Sequence, residues 1–526
     1  MALIELYDTT LRDGTQQEGI SLSVEDKLRI TQKLDELGFH YVEGGWPGSN
    51  PKDEEYFRRV KSHQLKCAVV AAFGSTRRAG TAVQQDANIK ALVESAARVC
   101  TLVGKSYDLQ VTHVLETSLE ENLAMIAESV GYLKGLGRKV FFDAEHFFDG
   151  IKANPAYALQ CVRAAAKAGA DCVILCDTNG GTLPHTVYEV VRKVGQEIHA
   201  PLGIHAHNDT DTAVASSLEA VRAGAVHVQG TINGYGERCG NANLLSVIAN
   251  LKLKMGIDCL DQERLAQLTE VSYFVSEVVN MAPNSSQPYV GASAFAHKGG
   301  LHASAVAKLE ESYQHIRPEL VGNSKRVLVS ELSGRSNVVW KLREMGLRVS
   351  SEEVRRLVEV IKERESRGFQ YEGAEASLEL LVRRGLPDYL PPFELVDFMV
   401  VVEKRRRPSL ENGGDLLSEA TVKLRIGKEV IHTAAEGNGP VNALDHAARK
   451  ALLQFYPKLK SVRLVDYKVR VVDQGSGTGA NVRVLIESTD GSGTSQTVGC
   501  STNIIEASWM ALADSLEWWL LREKAT

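Results

Sequence analysis

Two short segments, far apart in the sequence, carry the residues with the clearest potential for chemistry. Near the start of the chain Arg12 and Asp13 are adjacent, and Gln16 follows them. An arginine fork binds a carboxylate or a carbonyl oxygen, and a carboxylate is a good ligand for a hard divalent cation. Much later, His205 and His207 are two residues apart, so on a strand both would point to the same face. The two segments together predict a metal held by one Asp and two His, beside an arginine that binds an oxo-acid.

Each of these residues also has a purely structural interpretation. Asp13 precedes a glycine and could cap a turn, and the two histidines could be polar residues of a core. Asn241 is a candidate fourth ligand through its amide oxygen, but it could also cap the following helix. One Asp, two imidazoles and one amide would leave room for water and for substrate oxygens, as a catalytic metal requires.

Three further candidates follow predicted strands. Glu145 precedes a His-Phe-Phe run, so we expect it in an apolar environment as a general acid or base, or as a group that orients water. Thr178 could hydrogen-bond a substrate carboxylate or cap a helix. Gly236 and Gly240 belong to a glycine-rich loop whose backbone could approach a phosphate or a pantetheine arm.

The scaffold that positions these residues is predicted from hydrophobic patterning. Over the first ~270 residues short β runs alternate with amphipathic helices, and several helices end on a glycine. The candidate strands are Leu3–Tyr7, Tyr41–Gly44, Lys66–Phe73, Val99–Val103, Lys139–Asp143, Asp171–Cys176, Leu202–His207 and Val226–Ile232. Eight strand–helix units in a row favour a closed parallel (β/α)8 TIM barrel, and a doubly wound open sheet is the alternative.

In a barrel of this kind, catalytic residues come from the C-terminal ends of the strands. Asp13 follows predicted strand 1, Glu145 follows strand 5, and Thr178 comes at the end of strand 6. His205 and His207 end strand 7, and Asn241 follows strand 8. Residues chosen for their chemistry are thus expected on one rim of the barrel.

The remaining sequence predicts two more regions. After the barrel at residues 1–272 we expect helical linker subdomains over 273–391, including a glycine-rich stretch at 294–303 with two histidines. Residues 392–526 are rich in β-branched residues and contain an approximate repeat. Each half has β runs, a loop (Gly437–Asp445 or Gly499–Ala507) and a helix, which predicts a pseudo-two-fold α+β domain. Two unrelated αβ pieces are the alternative.

Composition narrows the functional class. A net charge of −6 gives no reason to expect nucleic-acid binding, and the basic run Lys404–Arg407 is interpreted as a solvated strand end. No apolar stretch approaches the ~20 residues that cross a bilayer, and no export signal is visible. The eight cysteines lack the spacing of a disulfide framework, so we expect a cytoplasmic protein.

Four motifs together resemble a known family. They are Asp8–Gln16, His205–Asp209, Gly236–Ala242 and Gly300–Ala303. They resemble the acetyl-CoA-dependent Claisen condensation family that contains 2-isopropylmalate, homocitrate and citramalate synthases, and the likeness extends over essentially the whole chain. The resemblance implies a TIM barrel followed by a regulatory domain that binds an amino acid.

The resemblance also implies roles for individual residues. A divalent cation, Mg²⁺ or Mn²⁺ with Zn²⁺ possible, would be held by four ligands: Asp13, His205, His207 and Asn241. The keto-acid would be bound by Arg12, Gln16 and Thr178, and Glu145 would take part in acid/base chemistry. The family's shared active sites imply a homodimer in which His302 reaches the neighbouring subunit, and Tyr313 is a looser match.

Within the family, the segments Glu43–Asp53 and Gly104–Asp108 are similar to the branch that uses pyruvate as acceptor. This implies condensation of pyruvate with acetyl-CoA on a route to isoleucine, with isoleucine or leucine as effector. The alternatives are 2-oxoisovalerate or 2-oxoglutarate as acceptor, a retro-Claisen lyase that cleaves a hydroxyacyl-CoA, and a non-catalytic amino-acid sensor.

Overall fold

The computed structural model describes residues 3–299, 312–330, 335–347, 349–386, 388–404, 416–472 and 477–522, together with residues 302, 305 and 309. The chain divides into two compact units, Met1–Phe295 with His315–Lys325 and Ala296–Gln314 with Arg326–Thr526. The domain limits predicted at residues 272 and 391 stay a prediction. Among the described helices, none has the length and apolar character that a membrane span requires.

The first unit contains a closed barrel of eight parallel strands in sequence order. The strands are β1 Glu5–Asp8, β2 Tyr41–Gly45, β3 Val69–Ser75, β4 Val99–Lys105, β5 Lys139–Glu145, β6 Cys172–Asp177, β7 Leu202–Ala206 and β8 His227–Gly230. Pairing of β1 with β8, in which Glu5 lies opposite His227, closes the barrel. The TIM-barrel prediction is confirmed, and the doubly wound alternative is wrong.

Some strand ends differ from the prediction for identifiable reasons. Strand β3 begins at Val69 rather than at Lys66, because the backbone N–H groups of residues 66–68 donate to the Asp35 carboxylate instead of to a strand. Strand β5 runs to Glu145, two residues beyond the predicted end, because its ladder with β4 continues to that residue. Glu145 is therefore the last residue of a strand.

Twelve helices surround or follow the barrel in the described part of the first unit. They are α1 Val24–Leu37, α2 Pro51–Val60, α3 Ala87–Glu94, α4 Asp108–His113, α5 Leu119–Gly135, α6 Phe147–Ala153, α7 Pro155–Lys167, α8 Pro184–Glu197, α9 Ala213–Arg222, α10 Leu244–Leu253, α11 Gln262–Leu265 and α12 Leu268–Val278. Helix α1 shows why such segments fold locally. Ser23 and Asp26 form a capping box at its start, and Gly38 ends it with φ 92°, a conformation that favours glycine.

Side chains alternate in direction along each strand, which gives the barrel two cores, one between strands and helices and one inside the barrel. Phe142 faces the helices, whereas the adjacent Phe141 belongs to a separate cluster with residues of five other strands, inside the barrel. Cys172 and Cys176 belong to the same inner cluster and are buried, which agrees with their interpretation as small hydrophobic residues.

In its described residues, the second unit has two short paired strands, three helices and two three-stranded antiparallel sheets, each closed by a further helix. In chain order its elements are β9 Ala296–His297, β10 Arg326–Val327, α13 Arg335–Glu344, α14 Ser351–Ser366, α15 Glu375–Arg384, β11 Glu394–Lys404, β12 Leu416–Ile426, β13 Glu429–Gly437, α16 Pro440–Leu452, β14 Arg463–Val471, β15 Val482–Thr489, β16 Thr494–Ser501 and α17 Ile504–Arg522.

The predicted pseudo-two-fold repeat is confirmed in detail. Both halves have the order βββα, and both first strands carry an irregularity at the same place, at residues 395–397 and 464–466. In both halves a threonine of the third strand donates to a helix carbonyl at 2.7 Å, Thr433 to Ala447 and Thr497 to Ala511. The sequence reasoning missed these third strands, so the segment Gly499–Ala507, predicted as a loop, begins inside β16.

Candidate active site

The predicted metal ligands Asp13, His205 and His207 come together at the C-terminal end of the barrel. All three are buried, and one ligand atom of each lies within 4.8 Å of those of the other two. Asp13 Oδ2 is 3.2 Å from His205 Nε2 and 3.8 Å from His207 Nε2. Carboxylate and imidazole groups at this separation form the donor set of a divalent metal.

Asn241 has the properties of a fourth ligand. It forms an isolated β-bridge with His207 and is 2% exposed. Its amide nitrogen donates to the Tyr235 carbonyl, whereas its Oδ1 has no hydrogen-bond donor among the described residues. A buried oxygen without a donor is costly, and a metal ion would satisfy it. The donor set therefore fits a divalent cation.

The structure also tests the alternative interpretations of these residues. Asp13 precedes a short 3-10 helix, Gly14–Gln16, but its side chain makes no capping hydrogen bond. The cap of α10 is Asn243, which accepts from the Leu245 N–H, so Asn241 is not the helix cap. Neither structural interpretation accounts for Asp13 or Asn241.

The protonation states of Asp13 and His207 suit metal binding, whereas at His205 burial is outweighed by the hydrogen bond and charge of Asp13, which raise the pKa. Burial alone would raise the pKa of Asp13, but the Arg12 charge and the His205 hydrogen bond outweigh burial and hold that pKa well below its usual range. Burial, followed by the neighbouring His205, lowers the pKa of His207 to about 4. Ionised carboxylate and neutral imidazole are the forms that ligate metals.

Arg12 is fixed beside the candidate metal ligands by three contacts. Its Nε donates to Oε1 of Glu43, a fully buried residue of β2, and its Nη1 lies 3.5 Å from Asp13 Oδ2. Its guanidinium carbon lies 3.9 Å from the centre of the Phe73 ring, a cation–π contact. Glu43 in turn accepts a 2.6 Å hydrogen bond from the Tyr7 hydroxyl. Arg12 is thereby a preorganised cation at the mouth of the barrel.

His205 is held by a second buried chain of polar groups. Its Nδ1 lies 2.9 Å from Gln229 Oε1, and Gln229 Nε2 donates to Asp143 Oδ1 at 3.0 Å. Because Gln229 presents its carbonyl oxygen, His205 Nδ1 carries the proton and Nε2 is the atom available to a metal. Burial, followed by the charge of Glu43, raises the pKa of Asp143 to about 7.

The sequence reasoning did not identify Glu43, Asp143 and Gln229 as functional residues. Each is a buried polar side chain on a barrel strand: Glu43 on β2, Asp143 on β5 and Gln229 on β8. A polar residue at an inward position near the C-terminal end of a barrel strand is the signal that could have found them.

A cavity of about 560 Å³ opens above this cluster. Its lining includes most of the predicted site residues: Arg12, Asp13, Gln16, Glu145, Thr178, His205 and His207. The prediction that these residues share one rim agrees with this lining, while their individual roles stay a prediction.

Thr178 and Glu145 lie at neighbouring strand ends of this cavity. The Thr178 hydroxyl accepts a 2.8 Å hydrogen bond from the His146 N–H, which leaves its own proton to donate to a substrate oxygen. The expected apolar environment of Glu145 is wrong. Its carboxylate forms an ion pair with Lys105, and its side chain is 25% exposed. The two residues are paired because they lie opposite each other in the β4–β5 ladder.

The glycine-rich loop packs against the candidate metal ligand Asn241. A side chain at Gly236 (φ 154°) would overlap the Asn241 amide, and one at Gly240 (φ 91°) would overlap the Gly234 carbonyl. Both glycines are thus required by close packing around Asn241, and their role in cofactor binding stays a prediction. Arg238 fastens the loop, since it donates to both carboxylate oxygens of Asp209.

The predicted segment Gly300–Ala303 lies outside the described residues except for His302. His302 belongs to the second unit, where its exposed imidazole stacks on the Tyr313 ring at a centroid distance of 4.2 Å. The role of His302 at a neighbouring active site stays a prediction.

Comparison with protein families matches three consecutive regions of the chain. Residues 3–275 match the HMGL-like family, residues 289–368 a homocitrate synthase post-HMGL domain, and residues 372–520 the LeuA allosteric (dimerisation) domain. The first match spans the whole barrel and all its candidate ligands.

Curated relatives cover the chain almost from end to end. The chain is 55% identical to the (R)-citramalate synthase of Geobacter sulfurreducens, with 98% of each chain covered. It is 54% identical to the (R)-citramalate synthase of Aquifex aeolicus, over 99% of this chain and 98% of the relative. A probable 2-isopropylmalate synthase of Methanopyrus kandleri is 32% identical over 96% of both chains. The chain belongs to the HMGL-like family and, within it, to the (R)-citramalate synthases.

Proposed function

We propose that the protein condenses acetyl-CoA with pyruvate and water to give (R)-citramalate and free CoA, with the residues of the barrel cavity in the roles below. The observation that carries the residue assignment is the buried Asp13, His205 and His207 cluster beside Arg12, on the floor of an open cavity. Similarity to a citramalate synthase over 98% of the chain supports the choice of pyruvate over larger acceptors.

A divalent cation would be held by the cluster and by the Asn241 amide oxygen. It would supply Lewis-acid polarisation of the pyruvate ketone. Mg²⁺ and Mn²⁺ are our first candidates, and Zn²⁺ is the alternative, since two imidazoles and two oxygen donors accommodate all three.

Arg12 and Thr178 orient the acceptor. The Arg12 guanidinium, held by Glu43, faces the keto-acid and stabilises negative charge as it develops on the ketone oxygen. The Thr178 hydroxyl, after β6, donates to the carboxylate, and the Gln16 amide adds a contact from the segment after β1.

The carbon–carbon bond forms between the acetyl methyl carbon and the keto carbon of pyruvate. A base removes a methyl proton from acetyl-CoA, and Glu145 takes part in this acid/base chemistry from the end of β5. Water then cleaves the thioester and releases the CoA thiol together with a proton. Lys105, paired with Glu145, orients that carboxylate.

The experiment is a panel of keto-acids with acetyl-CoA, followed by release of free thiol. We expect metal-dependent turnover with the highest kcat/KM for pyruvate. A higher kcat/KM for 2-oxoisovalerate or 2-oxoglutarate would replace the assignment by 2-isopropylmalate or homocitrate synthesis. Cleavage of a hydroxyacyl-CoA without net condensation would indicate a lyase, and absence of any turnover would indicate an amino-acid sensor.

We further propose a cytoplasmic homodimer with shared active sites, regulated by isoleucine or, as the alternative, leucine. The match of residues 372–520 to a dimerisation domain supports self-association, as do the exposed side chains of Val396, Met399 and Val401 on the outer strand β11. The repeated βββα halves offer two helix N-termini for a ligand carboxylate. Light scattering tests the dimer, and calorimetry of the full chain with each amino acid tests the effector.

A further inference from the structure

Trp46 lines one wall of the active-site cavity, but none of the roles proposed above involves it. It follows β2 directly, is half-buried, and lines the active-site cavity together with Arg12 and Gln16. The same three residues also line a neighbouring cavity of about 690 Å³. The indole ring therefore lies between the catalytic cavity and a second open space.

The Trp46 side chain is held in this position by directional contacts. Its Nε1 donates to Asn88 Oδ1 at 2.6 Å, and its ring meets the edge of the Phe73 ring at a centroid distance of 5.5 Å. Phe73 is itself covered by the Arg12 guanidinium. The Arg12 guanidinium, the Phe73 ring and the Trp46 indole thus form one continuous row of contacts.

The backbone at Trp46 is fixed as firmly as its ring. The Trp46 N–H donates to Asp53 Oδ2 at 2.9 Å, and Asp53 forms a buried ion pair with Lys27. The Lys27 ammonium also donates to the Gly44 carbonyl at the end of β2. These bonds tie the turn that carries the indole to α1 and α2, so the wall cannot retreat without breaking buried polar contacts.

The position of this wall relative to the substrate follows from strand order. The carboxylate of the acceptor is assigned to Thr178 after β6, and the metal ligands come from the β7, β8 and β1 side. The substituent on the keto carbon must therefore extend toward β2 and β3, where Trp46 and Phe73 form an apolar surface.

We infer that Trp46 determines acceptor size: its indole closes the substituent pocket so that the methyl group of pyruvate fits and a longer or branched group does not. This inference rests on the proposed function, because it assumes a 2-oxo acid anchored by Arg12 and Thr178. One additional methylene in an apolar pocket changes kcat/KM by about 10–200-fold, which sets the scale of discrimination available to such a wall.

The test is a graded series, Trp46→Phe, Trp46→Leu and Trp46→Ala, assayed by thiol release with pyruvate, 2-oxobutanoate and 2-oxoisovalerate. The measured quantity is the ratio of kcat/KM for each larger acid to that for pyruvate, which does not depend on the fraction of active enzyme. We expect this ratio to rise along the series and to reach about tenfold or more for 2-oxobutanoate in Trp46→Ala.

The matched control is Leu115→Ala, because Leu115 is also apolar, half-buried and part of the cavity lining. Its ratio should stay near that of the unsubstituted enzyme. A change of less than about threefold in all three Trp46 variants, or an equal change in Leu115→Ala, would overturn the inference. An unsubstituted enzyme that prefers a larger acid would instead refute the proposed function, and the assignment of Trp46 with it.

Discussion

The contact between Glu43 and Arg12 gives the sharpest test of how the active site works. Glu43 is fully buried, and its two carboxylate oxygens accept from Arg12 Nε and from the Tyr7 hydroxyl. The substitution Glu43→Gln keeps the shape and one acceptor oxygen but removes the charge. The contacts that then stabilise the Arg12 charge are the 3.5 Å contact with Asp13 and the face of the Phe73 ring.

The size of the effect follows from the environment of this pair. Removing one partner of a buried ion pair outright costs about 3–5 kcal/mol, and a hydrogen bond to a charged group contributes about 1.5–3 kcal/mol. Because the glutamine still accepts one hydrogen bond and Asp13 remains, we take about 2 kcal/mol. If that loss falls on the transition state, kcat/KM for pyruvate drops about thirtyfold. Most of the drop should be in kcat, because Arg12 stabilises charge that develops during the reaction.

The matched control is Glu128→Gln. Glu128 also accepts from the Nε of an arginine, Arg77, at 2.6 Å, but its side chain is 50% exposed. Exposed pairs contribute about 0–1 kcal/mol, so less than a fivefold change is expected. The assay is thiol release with purified variants whose far-ultraviolet circular dichroism matches that of the parent. A folded Glu43→Gln enzyme with kcat/KM within twofold of the parent would refute the idea that Glu43 holds Arg12 for catalysis.

Three further outcomes are expected. Asp13→Ala and His207→Ala should abolish turnover without lowering the Tm greatly. A chelator should stop turnover by the parent enzyme, and added Mg²⁺ or Mn²⁺ should restore it. Full activity in chelator would contradict the metal site. Mixing inactive His302→Ala with inactive His205→Ala should partly recover activity through heterodimers, and no recovery after verified subunit exchange would count against shared sites. Since burial raises the pKa of Asp143 to about 7, the folded chain keeps a proton that the unfolded chain loses from about pH 4 upward. The contribution of Asp143 to stability in chelator should therefore fall as the pH rises from 4 to 7. In urea titrations the parent protein should lose more stability, or gain less, over this range than Asp143→Asn; equal slopes would contradict the assignment.

Much of the fold could be predicted because it depends on local patterns. The strands at Tyr41, Val99, Lys139 and Leu202 begin where the sequence predicts them, since hydrophobic patterning acts over a few neighbouring residues. The third strands, β13 and β16, were missed because Glu429–Gly437 and Thr494–Ser501 consist mostly of polar and small residues and become strands by pairing with β12 and β15.

The candidate site likewise contains residues that could be predicted from the sequence and residues that could not. The ligands Asp13, His205 and His207 could be proposed from sequence alone, because residue type and the spacing of two on a strand already limit their chemistry and their face. Lys105 could not be recognised as the partner of Glu145, because that contact depends on the register of two strands about forty residues apart.

The sequence by itself therefore determined which side chains could bind a metal and an oxo-acid. It also determined that eight strand–helix units would bring these side chains to one rim of the barrel. Only the tertiary structure decided how they are held. Barrel closure brings Glu43 of β2 against Arg12, and Gln229 of β8 between His205 and Asp143. The physical reason is that a metal ligand is specified by its own chemistry, whereas a supporting residue is specified by the neighbour that closure of the barrel brings within hydrogen-bonding distance.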